Sequence, residues 1–124
     1  MGITYERAHD IEDRVFDIVR KLGMEHVNLA RVSCIRSRGS SSRYILARCH
    51  TLTKIFQQAL GIKAHYIIEV ISEKFDSLSF EEQTRTLIHE LMHIPKTFGG
   101  GFKHHNVVNR RTVERMYRKY MEER

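Results

Sequence analysis

SFEEQTRTLIHELMHIP, residues 79–95, is the stretch whose reading decides the fold. Ser79, with Glu82 three residues on, forms a capping box, so a helix opens there. Leu87, Ile88, Leu91 and Met92 recur at helical spacing and give that helix one apolar face. Pro95 ends it near Ile94, because the residue before a proline is pushed toward extended backbone.

Toward the N-terminus, Phe75 to Leu78 reads as a turn, and HYIIEVI (65–71) as an apolar, β-branched strand interrupted by Glu69. Residues 44–60 place Ile45, Cys49, Leu52, Phe56 and Leu60 at helical spacing, with Ser42 as N-cap and Gly61 as C-cap. The β-rich Tyr44-Ile45-Leu46 leaves open a short strand before that helix. SRGSSS (37–42) is a loop, and VNLARVSCIR (27–36) a strand of imperfect alternation. Tyr5, Ala8, Ile11, Val15, Ile18, Val19 and Leu22 predict a helix over 5–22 that Gly23 ends. Beyond Pro95, Phe98 to Phe102 holds three consecutive glycines. Asn106 then caps a last helix to about Glu122, with Val113, Met116, Tyr117 and Tyr120 inward. The order of helix, strand, helix, strand, helix, helix argues for an α+β fold, a short sheet packed on helices.

A chain of 124 residues reads as a single domain, 1–124. Its 41% hydrophobic and 29% charged residues are those of a folded globular chain rather than a disordered one. No run of 18 apolar residues offers a membrane span, and Met1 to Arg20 lacks an apolar signal core, so a cytoplasmic chain with no membrane partner is expected. Cys34 and Cys49 then read as reduced thiols; with His50 they match no metal-binding spacing. His9, His26 and His65 are scattered and read as structural or exposed. A net charge of +6 makes nucleic acid a weakly supported partner. The contact in that case is the run from Arg36 and Arg38 to Arg43, for which a solvated loop is the simpler reading.

His89-Glu90-Leu91-Met92-His93 is H-E-x-x-H on the predicted helix. Positions four apart share one helix face, so two imidazoles there can hold one tetrahedral Zn²⁺, one ion per chain. Glu90, beside the first histidine, is placed to take a proton from an activated water. Zinc needs a third protein ligand, and the candidates are His104, His105 and Glu114. If the last helix begins near 105, its apolar face includes His105, while His104 lies nearer the edge and Glu114 falls off it. That phase favours His105.

The chain resembles small archaeal and phage zinc metallopeptidases of the zincin type. The resemblance rests on HYIIEVISEKFDSLS (65–79), LIHELMHIPKTFGGGF (87–102) and His105, and it covers about residues 44 to 120. It implies a minimal zincin-like domain, His89, His93 and His105 as ligands, Glu90 as the catalytic group, and a peptide or protein substrate. More distantly the chain is similar to the SprT and WSS minimal proteases. The expected reaction is hydrolysis by a metal-activated water, and the strand Tyr66 to Ile71 is the candidate to hold an extended substrate by edge pairing. His104, Tyr66 and Tyr117 are the candidate oxyanion donors. Two other readings compete. One is a metal-dependent nuclease, like an rRNA-maturation family that uses three histidines but lacks the glutamate at position 90. The other is a non-catalytic zinc domain acting through its basic surface.

Overall fold

The computed structural model describes residues 2–123; Met1 and Arg124 lie outside the described residues. Along the chain run β1 (Thr4–Arg7), α1 (His9–Lys21), a single 3-10 turn (Leu29–Arg31), β2 (Val32–Arg38), β3 (Ala47–Thr51), α2 (Lys54–Leu60), β4 (Tyr66–Ile71), α3 (Ser72–Phe75), α4 (Phe80–Met92) and α5 (Arg110–Glu122). The strands form one four-stranded sheet in the order β1-β2-β4-β3. The β2/β4 pair is parallel and the outer pairs are antiparallel. The fold is α+β, as the element order predicts.

Period two decides which face of the sheet is buried. Val32, Cys34, Tyr66, Ile68 and Val70 point to one side and meet Ile11, Val15 and Ile18 of α1 and Leu87, Ile88 and Leu91 of α4 in one core. α5 adds Val113, Tyr117 and Tyr120. The two expected helix starts at the core helices differ in accuracy. Ser79 does cap α4, accepting from the Glu82 N–H, whereas α5 is capped by Asn109 rather than Asn106.

Several sequence expectations are corrected. The helix predicted over 44–60 exists only at Lys54–Leu60, and residues 47–51 form β3. Ala47, Cys49 and Thr51 pair with Val70, Ile68 and Tyr66, so they share the core side, while Arg48 and His50 turn to the opposite face. There His50 Nε2 lies 2.8 Å from the buried Glu69 carboxylate and Arg48 lies 3.6 Å away, which compensates that charge. Tyr5 belongs to β1, not to the first helix, and is exposed. Ser37 and Arg38 extend β2 into the expected loop, and Ser72 to Phe75 form a helical turn just before the expected turn. Cys34 and Cys49 both face Ile68 from opposite sides of β4. An intervening strand puts them roughly 10 Å apart, out of disulfide reach. Burial pushes both thiols up to about 12.

The arginine run also takes a different role from the expected one. Arg36 bridges Asp10 at 2.7 Å and Asp76 at 3.0 Å, and Arg38 pairs with Glu6 at 2.8 Å. Arg36 thus ties β2 to α1 and to the end of α3, and Arg38 ties β2 to β1, so both are held within the fold. Among the described residues, no helix is long and apolar enough to cross a membrane.

Glu12 fixes α1 to the sheet. Its carboxylate accepts from the Cys34 N–H at 2.8 Å and from Arg7 at 2.9 Å, with His9 at 3.0 Å. Burial raises its pKa, but these donors outweigh burial and hold it below its usual value. The stabilisation is therefore present above the unfolded-state pKa and is lost as pH falls through the lowered folded-state value. Glu12→Gln is expected to cost about 1 kcal/mol at pH 7. Denaturant titrations should show that gap closing below about pH 4, and a gap that persists unchanged at low pH would contradict the assignment.

Candidate metal centre

α4 sets the first half of the site. His89 and His93 stand four residues apart on one face, with their Nε2 atoms 3.2 Å apart. Leu87, Ile88 and Leu91 are fully buried on the other side and lock the helix rotation. Glu90 is also buried and opens into the same groove as the two histidines.

The second half arrives through the loop after Pro95. His93 and Lys103 bond to each other reciprocally. The Lys103 N–H donates to the His93 carbonyl at 2.8 Å, and the His93 ring Nδ1–H donates to the Lys103 carbonyl. This closes the loop across residues 94–102 and commits Nδ1 of His93, leaving Nε2 bare toward His89. Two residues on, His105 joins the pair. Its ring centroid lies 5.4 Å from that of His89 and 4.9 Å from that of His93. One nitrogen from each of the three rings lies within 4.8 Å of the others.

Nitrogens bound to one tetrahedral ion at ordinary metal–nitrogen distances stand about 3.3 Å apart, so the spacing of His89 and His93 fits a metal ion. Burial, followed by the neighbouring His93 and His105 rings, pushes His89 down to about 4. Burial also lowers His93. Neutral imidazoles with converging lone pairs are a metal-binding donor set. Burial raises Glu90 to about 7.

His104 is exposed at the groove wall but outside the cluster. Glu114 is held by Arg85 at 2.9 Å and is likewise outside it. The helix-phase argument that favoured His105 does not hold, because α5 begins only at Arg110. A turn does that work instead: the Val107 and Val108 N–H groups both donate to the His104 carbonyl, and Val108 is fully buried. Tyr66 is not free to donate to a substrate. Its hydroxyl donates to the Gly101 carbonyl at 2.8 Å and accepts from the Gly100 N–H at 3.0 Å. Tyr117 is buried beneath the Arg85 guanidinium.

The groove has a volume of about 790 Å³. One wall is α4, with the 102–105 segment and the start of α5 beside it, and the other is the run Tyr44 to Cys49, including the edge strand β3. This wall was not legible in the sequence, because residues 47–51 read there as helix.

Gly100 shows how tightly the loop is seated. It sits at φ +106, and a Cβ there would lie 2.6 Å from Gln57 Nε2 and 2.8 Å from the Leu52 carbonyl. Gln57 itself donates to the Leu52 and Gly99 carbonyls. Gly101 has open space around it. Gly100→Ala is expected to cost about 2 kcal/mol or more, against a small change for Gly101→Ala. Thermal melts of the two variants check this, and equal melting temperatures would contradict it.

The chain matches one family model, described as "Putative phage metallopeptidase", over residues 3–123. No curated protein and no solved structure matches it. With nearly its whole length inside that match, the chain belongs to this phage metallopeptidase family.

Proposed function

We propose that this chain is a zinc peptidase, with His89, His93 and His105 as metal ligands and Glu90 as the catalytic acid–base group. The observation that carries the reading is the convergence of the three imidazoles within 4.8 Å on a groove that Glu90 also lines. The match to a metallopeptidase family supports it. A set of three histidines suits zinc, with the fourth position open. When bound there, zinc supplies Lewis acidity toward a peptide carbonyl and toward water.

The chain's own groups carry the remaining chemistry. The Lys103 carbonyl fixes the His93 ring and makes it a better donor. Glu90 takes the proton of the attacking water on a carboxylate oxygen and delivers it to the leaving amine nitrogen. Glu90 is buried in the wall of the groove that the three histidines also line, so its carboxyl and the metal site share one cleft.

The substrate edge differs from the sequence expectation. β4 is flanked by β2 and β3, so both its edges are already paired. β3 is an edge strand that lines the groove, and an extended peptide adds there as a further strand.

Glu90→Gln keeps the metal ligands and removes the proton acceptor. With a zinc-loaded chain and a labelled unfolded protein as substrate, hydrolysis is expected to fall by about 10²–10⁴-fold while metal content is unchanged. Hydrolysis at the wild-type rate in that variant would overturn the mechanism.

A further inference from the structure

α5 carries a second feature that the hydrolytic chemistry leaves unused. Arg110, Arg111, Arg115, Arg118 and Lys119 are exposed around a concavity of about 640 Å³, together with Glu114 and Glu122. Glu114 is already engaged by Arg85 at 2.9 Å and lies 3.9 Å from Arg118. Among the described residues, Arg110, Arg111, Arg115 and Lys119 have no ion-pair partner. The concavity adjoins the groove, since Arg110 and Glu114 line both. Lys103, at the groove wall, is a further cation without an ion pair among the described residues.

We infer that the basic face of α5 is a docking track for an acidic stretch of the polypeptide substrate, held beside the bond to be cut. The inference rests on the peptidase reading and adds the substrate class. Unpaired cations on a helix attract a polyanion through the field and through individual exposed pairs. An acidic peptide fits better than single-stranded nucleic acid, because base stacking needs exposed aromatic rings. On the α5 face the aromatic residues, Tyr117 and Tyr120, are both buried, and the exposed rings of the adjoining groove, Tyr44 and Phe102, lie off that helix. The track also lies beside a groove whose far wall is a strand edge, a shape suited to polypeptide backbone.

The test compares two fluorogenic peptides with one scissile core, one carrying a run of Asp and Glu and the other Asn and Gln in its place. The zinc-loaded full chain is expected to favour the acidic peptide in kcat/KM by about eightfold at low salt, three exposed pairs at roughly a factor of two each. The ratio should fall toward one as salt rises. In Arg111→Gln/Arg115→Gln/Lys119→Gln the ratio should be close to one even at low salt. Equal kcat/KM for the two peptides in wild type would overturn the inference. A parallel binding arm uses Glu90→Gln with the labelled acidic peptide and with a labelled oligonucleotide. Peptide binding that the triple substitution removes supports the track even if neither peptide is cleaved, a result that would instead sink the peptidase reading. Oligonucleotide binding removed by the triple substitution, with acidic-peptide binding unaffected, would assign the face to nucleic acid and overturn the proposal.

Discussion

The site depends on the reciprocal pair between His93 and Lys103. One residue ends the α4 helix and the other ends a glycine-rich loop, and two hydrogen bonds join them. The bond to the ring sets which nitrogen of His93 is bare. The bond to the backbone sets where the chain re-enters, and so where His105 falls. Without this closure the loop would leave only the two histidines of α4, an incomplete set for a three-ligand site. The Tyr66 hydroxyl and the Gln57 amide hold the same loop from the sheet side and from α2. The site is therefore anchored to three elements that are remote in sequence.

What was legible in the sequence follows the range of the physics. α4 was legible because its cap, its apolar face and its stop are all local signals, and the two histidines ride on that helix. β4 was legible because a strand buried between two neighbours is apolar nearly throughout. β3 was not. Ile45, Cys49, Leu52, Phe56 and Leu60 happen to fall at helical spacing, yet pairing with β4 imposes a strand on residues 47–51. Strand propensity there is weak, and partners distant in sequence decide it. β1 has no buried residue and so no pattern to read. His105 was favoured by helix phase, while a turn before α5 is what brings it to the other two histidines.

The charge distribution carries the same lesson. Arg36 and Arg38 stood out because they lie close together in a serine-rich run, but folding spends them on Asp10, Asp76 and Glu6. The cations of α5 are diluted in sequence by glutamates and tyrosines. Helical winding brings Arg111, Arg115 and Arg118 to neighbouring turns, and Arg85 of α4 engages Glu114 among them. A free basic face thus emerges on the helix that borders the groove rather than in the loop.

The most direct test of the three-histidine centre is elemental analysis of metal per chain for wild type, His105→Ala and His104→Ala. About one zinc per wild-type chain, lost in His105→Ala and retained in His104→Ala, is the predicted result. Metal retained at the wild-type level in His105→Ala, or lost only in His104→Ala, would contradict the centre as described.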